Sequence, residues 1–504
     1  MSAADDAACA GQTAFGRAIV LATMSLCTML YALTLTIVNV ALPQLQGALS
    51  ATPDQVSWVV TLNVVATAIV TPTTGWIVAR WGQRRVLIVC VIGFGVWSLL
   101  CATATTLAPL LFYRIGQGAF GAPLVPLAQA VIVATYPPHQ RAMAQGVFGM
   151  SVVIGPAIAP TIGGYLAEAY NWRWIFLLIL PLCLAALIGV VAFIRDNARR
   201  RQVRLDWTGF LALSLAVAAL QLMMDRGERL DWFSSTEIVL LAALMVLGFY
   251  LFLVQMLTHP EPFISPSLFL DRNFTVGLFL VFVYGLLNVT PTVLFPPMLQ
   301  NLKGYPDSLI GILLAMRGAG MVVGFFSAAL MGRFDPRVGL LLGLGLIGWS
   351  GWMMAHFDLN VSPFAVGLSG VVQGIGTGIM WVPLSVVTFA SLPHERLPEA
   401  SALFHLLRNY GSSIFISLSV MAIVRTGKIS YAELSQHVNP YNEVTRFPSA
   451  MGLWNPETLP GLASLSREIA RQADMIGYTN AFVMYMLVCL AAAPFLVFVK
   501  IKRR

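Results

Sequence analysis

The chain has 504 residues, 58% of them hydrophobic and only 10% charged, with a mean hydropathy of +0.79. A soluble domain carries about 25% charged residues, so this composition excludes a soluble enzyme, a nucleic-acid binder and a disordered chain. The net charge of +8, from 30 Lys and Arg against 22 Asp and Glu, reads as a topology signal of a membrane protein rather than a polyanion site.

A helix needs about 20 apolar residues to cross a bilayer. In chain order the apolar runs predict spans at 18–42, 56–79, 86–105, 109–135, 142–168, 174–194, 206–225, 236–257, 273–299, 309–331, 338–357, 363–390, 398–424 and 479–499. Residues 1–17 are a tail with Asp5 and Asp6 near its start. The first apolar run is too long for a signal-peptide core and reads as an uncleaved helix. Of the cysteines, Cys9, Cys27, Cys90, Cys101, Cys183 and Cys489, five sit in apolar runs and none forms a CxxC pair. They read as small apolar residues rather than disulfides or metal ligands.

Fourteen crossings put both chain ends on one side. If that side is the cytoplasm, its segments carry eighteen basic residues, including Arg80, Arg84, Arg85, Arg195, Arg199, Arg200, Arg201, Arg333, Arg337, Lys500 and Arg504. The outer segments carry nine, five of them in the long loop 425–478. This asymmetry predicts cytoplasmic termini.

The two halves repeat. Arg80-Trp81-Gly82-Gln83-Arg84 resembles Arg333-Phe334-Asp335-Pro336-Arg337 after 253 residues, Gln117-Gly118 recurs as Gln373-Gly374 after 256, and Pro138-His139-Gln140-Arg141 as Pro393-His394-Glu395-Arg396 after 255. Three matches in order at nearly one offset indicate duplication, the plan of a large class of secondary transporters. The predicted organisation is a tail (1–17), a six-helix bundle (18–205), an inserted helix pair (206–272) and a second six-helix bundle (273–504) that contains the loop 425–478. Within that loop Leu462, Leu465, Ile469, Ala473 and Ile476 step by three and four, an amphipathic helix expected to rest on the membrane surface or the protein, or to dock a partner.

Three segments carry motif-like chemistry. Gly75 to Arg85, with Arg80, Gly82, Arg84 and Arg85, is a tight turn whose arginines can clamp helix C-termini through their dipoles. Arg114-x-x-Gln117-Gly118 places a guanidinium inside the bilayer, at a cost of at least about 2.5–3.5 kcal/mol, which marks it as functional. Gly155-Pro156-Ala157-Ile158-Ala159-Pro160-Thr161-Ile162-Gly163-Gly164 removes two backbone donors one turn apart and allows close helix contact.

These segments resemble motifs A, B and C of the major facilitator superfamily. Thr36-Ile37-Val38-Asn39-Val40-Ala41-Leu42-Pro43, Trp172-Arg173-Trp174, Asp225-Arg226-Gly227 and Leu392-Pro393-His394-Glu395-Arg396 extend the likeness to the fourteen-span drug:proton antiporters of the EmrB/QacA group. The resemblance covers about residues 18–499. It implies an all-α membrane protein of the major facilitator fold, a bacterial inner-membrane location, export of drugs against protons, a periplasmic adaptor and an outer-membrane channel. Three positions depart from the pattern. Thr34 stands where the first helix often has an acid, Ala79 where motif A usually has one, and Ala159 where motif C usually has glycine. The missing acid at Thr34 displaces the expected proton site.

The ionisable residues inside the spans are Arg114, Arg317, His405 and Arg408. None of the arginines has a carboxylate partner in its own span, so they are expected to face water or an anionic guest. Asn39, Asn63, Tyr113, Gln117, Asn288, Gln373, Trp381 and Phe404 complete the expected cavity. Arg114, His405 and Asp225 are the candidate proton-coupling residues; imidazole titrates near physiological pH. The expected substrates are small, amphipathic and anionic or weakly acidic, since pumps of cations would be expected to use membrane carboxylates. No segment resembles a hydrolase, nucleotide, metal or cofactor site, so an ion gradient is the expected energy source. A redox-complex subunit would need Lys and Glu at mid-span, and a sensor would need a soluble output domain. An importer or symporter on the same fold is the main alternative.

Overall fold

The computed structural model describes residues 14–194, 204–331, 335–438, 454–455 and 458–498. Asp5, Asp6, Cys9, Arg195, Arg199, Arg200, Arg201, Arg333, Lys500 and Arg504 lie outside the described residues. Eighteen α-helices carry the predicted spans. The first half contains α1 (Ala14–Ala48), α2 (Pro53–Val70), α3 (Thr74–Trp81), α4 (Gln83–Thr103), α5 (Leu107–Gly121), α6 (Leu124–Thr135), α7 (Pro138–Ala169), α8 (Arg173–Leu177) and α9 (Ile179–Phe193). Then come α10 (Trp207–Arg226) and α11 (Thr236–Thr258). The second half contains α12 (Arg272–Asn288), α13 (Thr290–Lys303), α14 (Asp307–Leu330), α15 (Pro336–Ala355), α16 (Pro363–Phe389), α17 (Leu397–Gln436) and α18 (Leu459–Ala492). Spans broken into two helices are broken near proline, which supplies no backbone N–H. Pro72 sits in the 3-10 turn between α2 and α3, Pro123 between α5 and α6, and Pro291 at the start of α13.

Among the described residues thirteen helical segments are long and apolar enough to cross a membrane. They do not include α7, whose 32 residues reach about 48 Å at 1.5 Å per residue, more than a bilayer core of about 30 Å. The outward surface is apolar: Leu184, Ile188, Leu240, Val246, Leu257 and Leu341 are all exposed. Lipid is the solvent that such a surface requires.

The packing repeats with the sequence. In the first half α1 lies on α7, α2 on α5, α4 on α5, and α9 on both α1 and α4; in the second, α12 lies on α17, α14 on α16, α15 on α16, and α18 on α15. The closest of these contacts is glycine against backbone. A Cβ at Gly374 or Gly378 would lie 2.2 Å from Arg317 O or 2.5 Å from Met321 O, and one at Gly320 or Gly324 would lie 2.4 Å from Val371 O or 2.3 Å from Ile375 O. Two GxxxG faces thus mesh between α14 and α16, the small-residue packing that replaces hydrophobic drive inside lipid.

The halves meet along two seams, α7 with α14 and α16, and α17 with α6 and α3. The inserted α10 packs on α2 and α17 as well as on α11. Its start is anchored by Asp206, buried, whose carboxylate accepts from Gly209 N (2.9 Å), Gln255 Nε2 (3.0 Å) and Phe263 N (3.2 Å).

The loop 425–478 is helical at both its described ends. Residues 425–436 continue α17, and the amphipathic stretch 462–476 is the first half of α18, continuous with the last span. The two extensions pack on each other, with Tyr431 Oη 2.9 Å from Ser466 Oγ. Along the apolar stripe Ala473 is buried and Leu465 and Ile469 are half-buried, while Leu462 and Ile476 stay exposed. Asp206→Ala leaves three buried polar groups unpaired, at a cost of about 2 kcal/mol in local stability. Faster amide hydrogen exchange in 204–209 and 259–268, with the rest of the chain unchanged, is the expected result.

Candidate functional site

Arg114, fully buried on α5, donates from Nε to Val59 O at 2.9 Å and from Nη1 to Gln117 Oε1. Gln117 passes the chain on, donating to Ser98 Oγ at 2.7 Å. Asn63 on α2 donates to Arg114 O at 2.9 Å. The second half builds the same pair from the opposite helix. Arg317 on α14 donates from Nε to Gln373 Oε1 on α16 at 2.6 Å, and from Nη2 to Asn288 O and to Asn288 Oδ1 (3.0 Å). Gln373 is the repeat of Gln117, and Arg317 lies 254 residues after Asn63. The contacts agree: Gly118 abuts Asn63 O as Gly374 abuts Arg317 O. Each half therefore holds one guanidinium against the same glutamine, supplied by the fourth helix in one and the second in the other.

A helix break provides the rest of the second set. Pro291 supplies no N–H, so Leu287 O is released from the ladder. Tyr485 Oη donates to it at 2.9 Å and Gln373 Nε2 at 3.2 Å. The exposed acceptors at this break and the arginine beside it satisfy one another.

Arg408 is different. It lies half-buried on α17, its guanidinium 5.7 Å from the centre of the Trp381 ring, with Asn409 Oδ1 as its hydrogen-bond acceptor at 3.1 Å. Trp381 stacks at 5.2 Å on Tyr284 and at 5.6 Å on Phe404. Tyr31 of the first half and Tyr284 of the second both lie within reach of the Arg408 charge. A guanidinium on an aromatic face, with one neutral side-chain partner, keeps donors free for an anion.

One turn from Arg408, His405 is 2% exposed and ringed by Phe148, Trp381 and Phe404 at 6.5, 6.1 and 5.6 Å. Neither ring nitrogen has a hydrogen-bond partner. Below it, toward the end of the molecule that carries the Arg80 turn, the halves are clasped. Ser401 donates to Gln129 Oε1 at 3.1 Å across the seam, Glu399 packs against Gly75 and accepts from Ser265 N at 2.9 Å, and Phe325 fills the notch at Gly146 and Gly149.

The remaining predicted residues divide. Gly82 has φ +86°, a conformation that favours glycine at the turn between α3 and α4. Arg84 beside it donates to Val191 O, in the last turn of α9, at 2.7 Å; Arg80 lies over Trp76 at 5.7 Å. Gly155 and Gly163 press α7, which runs unbroken through Pro156 and Pro160 with Gly164 beyond, against Met29 and Ile37 of α1. Tyr113 turns away from Arg114 to Trp97 and Phe112, and Asn39 is exposed on α1. Asp225, exposed at the end of α10, accepts from Thr61 Oγ1. Thr34, in the usual place of the acid, is buried and bonded to Leu30 O of its own helix at 2.7 Å. Sequence reasoning missed Tyr31, Tyr284, Tyr485 and Phe148, aromatic residues that look like core in a chain this apolar. Pro291 beside Asn288 was the available signal for freed carbonyls. Arg114→Ala and Arg317→Ala each leave buried acceptors unpaired and are expected to cost about 3 kcal/mol. Arg408→Ala, losing one exposed bond, is expected to cost under about 1 kcal/mol. Unfolding of purified protein in detergent measures all three.

Comparison with known proteins agrees with this architecture. The chain is 32% identical over 481 residues to the multidrug export protein EmrB of Haemophilus influenzae, covering 93% of each. It is 29% identical to the fatty acid resistance protein FarB of Neisseria gonorrhoeae, covering 95% of this chain and 97% of FarB. The crystal structure of the human organic anion transporter MFSD10 superposes with a TM-score of 0.60 at 14% identity, covering 95% of this chain and all of that one. Residues 24–416 match the model of the Major Facilitator Superfamily, and the chain is a multi-pass membrane protein belonging to that superfamily, on its EmrB branch.

Proposed function

We propose that the chain exports amphipathic anionic or weakly acidic compounds across the bacterial inner membrane, driven by protons, through alternating access of its two halves. The bundles are 18–205 and 273–504, with 206–272 as an inserted pair. The observation that carries the substrate class is Arg408. It sits half-buried over Trp381 with donors to spare, and among the described residues no Asp or Glu shares its depth. A carboxylate or sulfonate head satisfies the guanidinium while its apolar body lies along Trp381, Tyr284 and Phe404. The fatty-acid and multidrug export relatives support the reading.

The end that carries Arg80 and Arg84 is the cytoplasmic one, because basic residues concentrate there. The clasp at Gly75, Gln129, Ser401 and Phe325 then closes the cytoplasmic side, and Arg408 and the exposed Asn39 face the outer side. Arg114 and Arg317, held by their own halves, brace the helices that rock, while Arg408 meets the guest. Efflux from a pump-deficient host, with a matched pair of anionic and cationic fluorescent dyes, tests this. The anionic dye is exported, a proton uncoupler stops it, and Arg408→Gln reduces it about tenfold, the worth of one charge-assisted contact. Export of the cationic dye alone, untouched by Arg408→Gln, refutes the substrate class; uptake instead of efflux in energised vesicles refutes the direction.

The outer extensions of α17 and α18 are the docking element for a periplasmic adaptor that leads to an outer-membrane channel. Helices of 40 and 34 residues outrun a bilayer core of about 30 Å, and Ile429, Trp454, Leu459 and Leu462 expose apolar surface there. Deleting 430–476 is expected to abolish capture of the adaptor while dye export into the periplasm persists. Undiminished capture rules the element out.

A further inference from the structure

The coupling proton needs a site, and the position where relatives carry an acid holds Thr34, tied to its own backbone. The search for another ends at the seam between the halves. His405 is the one buried imidazole among the described residues, and it stands where the clasp meets the cleft. Ser401, one turn toward the cytoplasmic end, joins the clasp; Arg408, one turn the other way, borders the open side.

We infer that His405 is the proton-binding group of the transport cycle, and that its charging drives the cytoplasmic seam open. The inference rests on the proton-coupled export proposed above.

Protonation adds a donor that the closed seam cannot pair. Neutral imidazole has one donor and one acceptor; the imidazolium has two donors and a charge. In the closed seam neither nitrogen has a partner, and the ring is enclosed by Phe148 of α7, Trp381 of α16 and Phe404 of its own helix. The charged and titratable groups around it offer no compensation. On α17, Arg408 adds a like charge and Glu399 lies nearly two turns away, already bonded to Ser265 N. From α7 and α6 come Gln145 and Gln129, both neutral. From α12 and α1 come Tyr284 and Tyr31, which face Arg408. A proton taken up here from the outer cleft, past Arg408, destabilises the closed seam selectively. Separation of α17 from α7 hydrates the imidazolium and opens it to the cytoplasm, where the proton leaves. A ligand shifts an equilibrium only by its differential affinity for the two states, and the proton meets that condition here. The cycle that results moves protons inward and returns the empty carrier to the side where the substrate binds.

The test uses the full chain in lipid nanodiscs, with Cys9→Ser and spin labels on Trp81→Cys and Val338→Cys. These are exposed positions at the cytoplasmic end of either half, while the other cysteines are buried. Double electron–electron resonance is expected to show one short distance at pH 8 and a longer population at pH 5.5. His405→Gln and His405→Phe, the latter filling the ring cage, are expected to keep the short distance at both. A short distance at pH 8 certifies that a variant is folded. In proteoliposomes the same variants are expected to lose about tenfold in export driven by a proton gradient, within the usual range of coupling between sites, while binding of the anionic dye stays within about twofold of wild type. Opening by acid in both variants, or full coupling in either, overturns the assignment. Wild-type export that ignores an uncoupler overturns proton-driven export instead, and the resonance experiment still reads His405 directly.

Discussion

A guanidinium inside a bilayer has to find its acceptors within the protein, because lipid offers none. That constraint organises this molecule. Arg114 takes Val59 O and Gln117, and Arg317 takes Gln373 and both oxygens of Asn288. The helices that supply these acceptors are thereby fixed to one another, and the glycines at 118 and 374 bring the backbones close enough for the bonds to form. The exchange of the arginine from the fourth helix of one half to the second of the other shows that the bond, not the position, is what both halves retain.

The spans, their order and the internal repeat were legible in the sequence, because apolar length and repeated turns are local properties. Thirteen of the predicted spans coincide with qualifying helical segments, and α7 carries the other. The long loop was legible as holding an amphipathic helix that rests on the protein, but its continuity with the flanking spans was not. Residues 462–476 have the alternation of a surface helix, yet a helix packed against another outside the membrane presents the same pattern, and only the partner, Tyr431 against Ser466, distinguishes them. The candidate site was legible in part. Residue type marked Arg114, Arg317 and Arg408 alike, but what separates them is the acceptors each reaches in three dimensions: Val59 O and Gln117 for Arg114, Gln373 and Asn288 for Arg317, and Asn409 alone for Arg408. Tyr113 meets Trp97 and Phe112 while Arg114 turns to Val59 O and Gln117, because adjacent residues on a helix point about 100° apart.

Departures from a family pattern have consequences that can be followed through the structure. Threonine at position 34 is a neutral side chain whose hydroxyl is spent on its own helix. A carboxylate there would have faced the interior without such a local partner. Without an acid there, Arg114, Arg317, Arg408 and His405 are the basic side chains that remain inside the spans.

The unbroken course of α17 joins regions that are otherwise remote. Its 40 residues make a rod of about 60 Å, with Ser401, His405 and Arg408 in its first third, Ser417 at its middle and Tyr431 near the other tip. A rigid rod turning about its middle by some ten degrees carries each tip through roughly 5 Å, the size of one helical turn. Unlatching below and motion of the outer hairpin above are then a single mechanical event, so that any protein gripping the hairpin registers which way the cleft is facing.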